Sequence, residues 1–299
     1  MRLTWFTPLF ENIMRRAHDE NLHHALLLAG PEGIGKQELA HDIGQGLLCQ
    51  SPSIQGACNQ CSACDLFNAG SHSDFYLVES EKQIGVDAIR SVISALSKTA
   101  QHGSRKVCII RAAHSMTESA ANALLKTLEE PTKNTYLVLI VDEIHQILPT
   151  ILSRCEKWSL RSPEPEQAIS WLQSYYPDKG PFDVNLVRAY GGAPLRLVKA
   201  LEQENDKVFS RFDSDLNDVI TGNKTSLKMA QEWQDSGNRL INWCQMKCLK
   251  AYRNNTRQDI LRAYQLCIEA ATRMTHPGVN KVLVLVDVIH NVSHAVKQK

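Results

Sequence analysis

The chain has 299 residues, of which 43% are hydrophobic and 22% charged, and its formal net charge is +1. This length suits about two domains with a sizeable core, and the small net charge excludes a global field that would attract polyanions. No apolar run approaches the roughly 20 residues of a membrane-spanning helix, and the N-terminus lacks a signal-peptide pattern, so we expect a cytoplasmic protein without membrane contact.

A glycine-rich turn follows the first predicted strand, Ala25–Ala29, and leads into a predicted helix ending at Leu48. The candidate phosphate-binding residues of this turn are Gly30, Gly33, Gly35 and Lys36. Strand, glycine turn and helix form the setting in which backbone N–H groups bind phosphates. Gln37 replaces the Ser or Thr that would reach Mg²⁺, and Glu32 adds a negative charge beside the expected anion site. We expect ATP binding that is weak or absent and no efficient hydrolysis; the alternative is a turn kept only for its structure.

A cysteine cluster follows this helix, and it consists of Cys49, Cys58, Cys61 and Cys64. Four thiolates so close in sequence can surround one tetrahedral ion, which suits a closed, structural Zn²⁺ site. Two alternatives are an iron–sulfur cluster on the last three cysteines and a set of free thiols. The remaining cysteines fall in strand or helix patterns and are expected to be small core residues.

Strands and helices alternate beyond the cluster. Ser71–Glu79 is predicted to contain a strand and Val86–Thr99 a helix. The β-branched runs Val107–Ile110 and Tyr136–Val141 suit strands that are buried on both faces of a parallel sheet. The pattern over residues 25–155 therefore predicts a doubly wound, three-layer α/β domain.

The segment between the last two runs predicts a helix. Ser115 and Glu118 have the spacing of a capping box, apolar residues recur at helical spacing, and Pro131 ends the pattern.

The sequence AANALLKTLEEP, residues 120–131, followed by TILSRC, residues 150–155, resembles the AAA+ subunits of the bacterial DNA polymerase III clamp loader. The resemblance implies an AAA+ phosphate-loop domain. It also implies a structural zinc module over residues 49–64, because these subunits carry cysteines at this spacing after the first helix.

At two places in the chain, the residues resemble those of a member of this family that does not hydrolyse ATP. Where the ATPase subunits have an acidic pair that organises magnesium and water, this chain has Arg111 and Ala112. Asp142 replaces the polar strand ending with which those subunits sense the γ-phosphate, and it would repel phosphate. An ATP-hydrolysing subunit of the gamma/tau type is the alternative.

Arg154 is the candidate catalytic residue. In the family, the arginine of the Ser-Arg-Cys motif reaches the ATP of a neighbouring subunit, where a planar, permanently charged guanidinium stabilises phosphate charge. The resemblance thus implies that Arg154 acts in trans. The alternative is a surface arginine paired with a carboxylate such as Glu156.

Pro163 and Pro165 mark a linker, and helical patterns follow it. The resemblance implies three domains: an AAA+ domain over 1–162, a three-helix lid over 163–205, and a helical collar over 206–299. The resemblance implies that Arg196 lies where relatives place a second phosphate-sensing arginine; the alternative is a structural role. Helical stretches are predicted over Thr225–Tyr252, Thr256–Met274 and Val279–Val296.

The implied partners are the gamma/tau and delta subunits in a five-subunit ring, with the sliding clamp and primed DNA as the targets of the complex. A zinc-containing nucleic-acid-binding module is a second alternative. From Lys224 to Lys299 there are 12 Lys and Arg residues against 5 Asp and Glu. Only Phe67 lies near the cysteine cluster as a base-stacking residue, which disfavours that alternative.

Overall fold

The computed structural model describes residues 3–102, 105–202, 209–274, 276 and 278–297. These residues form two compact units. The first contains the chain up to Tyr175 together with Gly192–Arg196, and the second contains Tyr176–Gly191 and the chain from Leu197 onward. The predicted division at 162 and 205 stays a prediction, and its second boundary lies outside the described residues.

The first unit is built on a parallel sheet of five strands in the order β2-β3-β4-β1-β5. The strands are β1 (Ala25–Ala29), β2 (Phe75–Val78), β3 (Lys106–Ile110), β4 (Thr135–Val141) and β5 (Glu156–Ser159). Every residue of β1 and β3 is buried, as expected for strands covered on both faces. The doubly wound α/β prediction is confirmed, although the sequence patterns did not predict β5.

Helices cover both faces of this sheet. They are α1 (Thr7–His18), α2 (Lys36–Leu48), α3 (Ser62–Asn68), α4 (Val86–Leu96), α5 (Glu118–Glu129), α6 (Pro149–Leu152) and α7 (Pro165–Tyr175). Leu96, Leu124 and Leu128 of α4 and α5 belong to the core on one face of the sheet, and α2 packs against β3 on the other. Buried apolar side chains thus hold the carboxyl ends of β1, β3 and β4 along one edge.

The predicted capping box of α5 is wrong. Ser115 ends a 3-10 turn, Met116 is extended, and Thr117 is the residue that caps the helix. The Thr117 hydroxyl accepts the N–H of Ala120 at 3.2 Å. The extended Met116 keeps helical geometry from starting before Glu118, so a cap two residues earlier could not reach the helix.

The second unit is helical. It contains α8 (Val184–Ala189), most of α9 (Pro194–Glu202), α10 (Phe209–Thr221), α11 (Ser226–Trp233), α12 (Gly237–Asn254), α13 (Gln258–Arg273) and α14 (Lys281–Val296). Its core includes Trp233, Trp243 and Phe212, which meet edge-on or tilted. The stretch predicted as one helix over 225–252 is divided at residues 234–236, where a 3-10 turn separates α11 from α12. Within the described part of the chain, no helix is both long enough and apolar enough to cross a bilayer.

Candidate functional site

The predicted strand, turn and helix around Lys36 are present, and β1 leads through Gly30–Gly35 into α2. Gly33 and Gly35 have φ angles of +80° and +100°, which residues with a side chain rarely adopt. Gly35 is the residue before the first turn of α2, so Lys36 begins the helix. The four candidate phosphate-binding residues therefore lie together, in the geometry of a phosphate loop.

The ammonium group of Lys36 is already bound by this chain. It donates to the carbonyl oxygens of Gly30 at 2.7 Å and Pro31 at 2.8 Å, and to Asp142 Oδ1 at 2.9 Å. An ammonium group has three N–H donors, so the three contacts use its full capacity. The Lys36 side chain is 5% exposed, and the Asp142 side chain is 42% exposed. Asp142 therefore supplies the negative charge that a phosphate would bring.

Two segments of the first unit, residues 195–196 and residues 3–5, contact the loop. The N–H of Leu195 donates to the Gly33 carbonyl at 3.0 Å, and a Cβ atom added to Gly33 would lie 2.5 Å from Arg196 Cβ. The Trp5 indole N–H donates to the Ile34 carbonyl at 3.0 Å. A Cβ atom on Gly35 would lie 1.9 Å from Leu3 Cδ1. The carbonyl oxygens of Gly33 and Ile34 and the Cα atoms of Gly33 and Gly35 are thus packed against protein.

The positions that would organise magnesium carry other chemistry. Gln37 is exposed at the start of α2. Arg111, at the end of β3, donates from Nη1 to Glu79 Oε2 at 2.5 Å. Ala112 follows with a φ of +47° and has no polar side chain. A guanidinium and a methyl group cannot bind a divalent cation or orient water.

Arg154 lies between α6 and β5 and is 32% exposed. Its Nε donates to Glu129 Oε1 at 2.7 Å, and Nη2 contacts the same oxygen. Nη1 donates to the Thr150 carbonyl at 2.8 Å and to Ser153 Oγ at 3.2 Å. The carboxylate partner of Arg154 is Glu129 and not Glu156. The guanidinium is therefore held at a defined place by groups of its own chain.

Two neighbouring contacts fix the surroundings of Arg154. Glu156 pairs with Arg16, and Glu129 pairs with Arg154. The His24 ring, through Nε2–H, donates to the Leu128 carbonyl at 2.7 Å and so anchors the end of α5 beside Glu129. Partial burial lowers the pKa of His24, which keeps the ring neutral near pH 7.

The predicted metal ligands also converge. Their four Sγ atoms all lie within 4.8 Å of one another; the residues are Cys49, Cys58, Cys61 and Cys64. The Sγ atoms of Cys49 and Cys61 are 3.9 Å apart, and those of Cys58 and Cys64 are 4.0 Å apart. With a Zn–S bond of about 2.3 Å, a tetrahedral site has sulfur atoms about 3.8 Å apart. The donor set and its spacing fit a metal ion.

The surroundings of the cluster favour thiolates at some positions more than at others. The Cys49 sulfur accepts backbone N–H groups of Ser51 at 3.4 Å and Cys58 at 3.2 Å. Burial opposes ionisation of Cys61, but hydrogen bonds from the backbone and from neighbouring thiols outweigh it and lower its pKa to about 6. Burial and the neighbouring Cys61 thiol raise the pKa of Cys64 to about 12. A cation would offset the cost of ionising that buried thiol.

Two contacts were not predicted from the sequence. The repulsion between Asp142 and phosphate was expected, but not its ion pair with Lys36. Their adjacency follows from β1 and β4 being neighbours in the sheet, which a topology built from the strand order could have indicated. Glu129 was not singled out, because no spacing rule relates a helix end to a turn 25 residues later.

Comparison with known proteins identifies relatives. The family model described as "DNA polymerase III, delta subunit" matches residues 7–164. The DNA polymerase III subunit delta' of Pseudomonas aeruginosa is 41% identical over 196 residues, which cover 64% of this chain and 58% of the relative. The subunit of the same name from Yersinia pestis is 30% identical over 255 residues, which cover 83% of this chain and 75% of the relative.

A solved structure supports the fold. The crystal structure of a DNA polymerase III gamma subunit-related protein from Thermotoga maritima superposes with a TM-score of 0.52 at 17% identity, covering 96% of this chain and 99% of that one. This likeness supports the AAA+ type of α/β fold followed by helices. The chain spans 51% to 61% of the length of three relatives named subunit delta'. On the family match and the Yersinia relative, this chain belongs to the DNA polymerase III delta-prime subunit family.

Proposed function

We propose that the chain is a non-hydrolysing subunit of a DNA polymerase III clamp loader. It would assemble with gamma/tau and delta subunits in a five-subunit ring that loads a sliding clamp onto primed DNA in the cytoplasm. Support comes from its relatives, which are named as subunits of this polymerase. In such a ring the chain would be a comparatively rigid stator, and its chemistry would act across a subunit boundary.

The observation that carries the non-hydrolysing role is the contact set of Lys36. A nucleotide would have to displace Asp142 and two carbonyl oxygens from an almost fully buried ammonium group. Displacing Asp142 would leave its carboxylate facing the phosphates, because both groups compete for one cation. No magnesium-binding side chain stands at Gln37 or Arg111 to offset that repulsion. Hydrolysis within this chain is therefore disfavoured at both the binding and the catalytic step.

The trans-acting role rests on Arg154. Its guanidinium is partly exposed, and its carboxylate partner Glu129 is 49% exposed. Exposed ion pairs contribute about 0–1 kcal/mol, so a neighbour's triphosphate would displace Glu129 at low cost. An arginine supplied in trans to a phosphoryl-transfer site accelerates the reaction by about 10³–10⁵-fold. Arg154 is thereby suited to act on a nucleotide that another subunit holds.

Zinc is the metal we assign to the cysteine cluster. Four thiolates at tetrahedral spacing suit Zn²⁺, and a site with four protein ligands has no open position for catalysis. When bound, the ion supplies folding stability and no chemistry to the ATPase reaction. Its ligands would be Cys49, Cys58, Cys61 and Cys64.

Reconstitution tests the trans role. Arg154→Ala should leave assembly with gamma/tau and delta unchanged, as measured by gel filtration, and should lower the ATP turnover that clamp and primed DNA stimulate. Arg90→Ala, which changes an exposed arginine on α4, is the matched control. Normal turnover by the Arg154→Ala complex would refute the trans role.

An ATP-hydrolysing subunit is the second candidate, because Lys36 and the loop glycines are retained. Phosphate release by the purified chain alone distinguishes the two candidates. Repeated turnover that Lys36→Ala abolishes would favour hydrolysis by this chain and overturn the stator role.

A further inference from the structure

A basic groove lies in the second unit, along the C-terminal half of α12. Two hollows of about 530 Å³ and 650 Å³ border this half-helix, and Lys247, Lys250 and Asn254 line both of them. The basic residues of the combined lining are Arg188, Lys247, Lys250, Arg253, Arg257 and Lys297. Its acidic residues are Asp183 and Asp213. We call this surface the basic groove.

The acidic groups near the groove are committed to other contacts. Asp183 caps α8 by accepting the N–H of Leu186 at 2.6 Å. Asp213 pairs with Lys247, and Asp259 pairs with Arg257. These contacts neutralise two of the six basic residues.

Within the lining, the charges of the other four basic residues are offset only by the Asp183 carboxylate, which keeps its charge while it caps α8. Among the ion pairs between described residues, none involves Arg188, Lys250, Arg253 or Lys297. Lys250 donates to the Asn185 amide oxygen at 3.2 Å, a neutral acceptor. The groove therefore holds a net positive charge that the fold itself does not use.

The positive side chains come from separate helices. Arg188 lies on α8, Lys250 and Arg253 lie on α12, and Lys297 directly follows α14. One solvated helix face would explain a row of lysines on one helix. It does not explain why Arg188 lines one hollow, Lys297 lines the other, and Lys250 between them lines both. Convergence of this kind raises the local potential and concentrates anions.

The spacing and the chemistry suit a chain of phosphates. Lys247, Lys250 and Asn254 follow one another at three and four residues on α12, which places them about 4.5 and 6 Å apart along the helix axis. Lysine, arginine and asparagine are phosphate-binding residues that fix a nucleic acid without reading its sequence. Leu249 is the only large apolar side chain of the lining that is strongly exposed. A protein partner would require more apolar or aromatic anchoring than this.

We propose that the basic groove binds the phosphate backbone of nucleic acid, without base specificity. The binding would use Arg188, Lys250, Arg253 and Lys297 as counter-charges. It does not depend on Arg154 or on the nucleotide loop, so it is separate from the function proposed above.

The test measures binding of fluorescein-labelled DNA, single-stranded and duplex, to the full chain by fluorescence anisotropy. The test variant is Lys250→Glu with Arg253→Glu. The control variant is Lys228→Glu with Arg262→Glu, which makes the same change in net charge at exposed positions of α11 and α13 that do not line the groove. Circular dichroism and thermal melting establish that each variant is folded.

We expect the test variant to bind DNA at least about tenfold more weakly than wild type, and the control to stay within about twofold of wild type. The slope of log affinity against log salt, between about 50 and 200 mM, should become shallower by about two in the test variant. Unlabelled DNA of any sequence should compete equally.

Three results would overturn the proposal. They are no measurable DNA binding by the folded wild-type chain at about 50 mM salt, an equal loss of affinity in both variants, and equal competition by poly-glutamate and DNA of matched charge. The second would show a response to overall charge alone, and the third would indicate an acidic protein partner.

Discussion

The phosphate loop and the cysteine cluster are both ligand sites by their sequence patterns, and they differ in what satisfies their polar atoms. In the loop, Lys36 is saturated by two carbonyl oxygens and Asp142. In the cluster, four thiols face one another at distances that suit a tetrahedral ion. In the loop, a carboxylate of the chain itself makes a contact with Lys36 that a phosphate oxygen could make. The second site gains from an ion because mutual repulsion of thiolates has no counter-charge within the cluster.

Metal removal should have the largest effect on the folded chain. Structural zinc sites contribute on the order of 10 kcal/mol in small peptides, and a chain with its own core should lose less. We expect Cys61→Ser, or treatment with a strong chelator, to lower the melting temperature by several degrees and to release about one zinc ion per chain. Calorimetry and a zinc-sensitive dye measure both effects.

Ser62→Ala is the control for metal removal, because it changes a neighbouring exposed side chain that is not a ligand. It should keep its zinc and its melting temperature. A purified chain without bound metal, with a melting temperature that chelator leaves unchanged, would contradict the zinc assignment.

Asp142→Ala should convert the loop partly back into a phosphate site. The change frees one donor of Lys36 and removes the carboxylate that repels phosphate. We expect affinity for pyrophosphate or ATP to rise at least about tenfold, at a cost of about 1.5–3 kcal/mol in stability. Isothermal titration measures the affinity, and the gain should disappear in Asp142→Ala with Lys36→Ala.

Glu143→Ala is the matched control for the loop, because it removes the same charge one residue away, at an exposed side chain paired with His145. It should bind nucleotide no better than wild type. Equal gains in both variants would indicate a general charge effect and remove the special role of Asp142.

Acid should release the metal ion from the cysteine cluster. Metal binding requires thiolates, and protons compete with the ion, so metal affinity falls as pH falls. Burial raises the pKa of Cys64 to about 12, and hydrogen bonds lower that of Cys61 to about 6, so proton competition extends across the whole neutral range. We expect zinc to be released progressively between about pH 7.5 and 5, measured with a zinc-sensitive dye. Zinc retention that is independent of pH over this range would be inconsistent with thiolate ligands.

Local chemistry was easier to predict from the sequence than contacts between distant segments. The glycines and Lys36 form a loop because a strand, a turn and a helix are consecutive in the chain, and the cysteines converge because all four lie within sixteen residues. The Lys36–Asp142 pair joins residues 106 apart, so it depends on which strands are neighbours. The strand β5 pairs with β1 although it alternates half-buried and exposed residues, since an edge strand lacks the apolar run by which buried strands are predicted.

Glu129→Gln should have the smallest effect. It tests whether the ion pair of Arg154 with Glu129 is weaker and more easily displaced than the buried contacts of Lys36. Glu129 and Arg154 are both partly exposed, so the pair should contribute about 0–1 kcal/mol to stability and the melting temperature should hardly move. Since Nε and Nη2 share one Glu129 oxygen, we expect the substitution to loosen the guanidinium and lower kcat in the reconstituted loader, by less than about tenfold, with little change in KM.

Glu130→Gln, at the next and exposed residue, is the control for Glu129→Gln. A loss in kcat confined to the Glu129 variant would make Glu129 a positioning residue that orients Arg154 before a phosphate displaces it. A gain in turnover would instead mean that the ion pair restrains the arginine. If Arg154→Ala lowers turnover and Glu129→Gln does not change it, the negative charge of Glu129 is not needed to orient the guanidinium, because the amide oxygen, the Thr150 carbonyl and the Ser153 hydroxyl remain as acceptors.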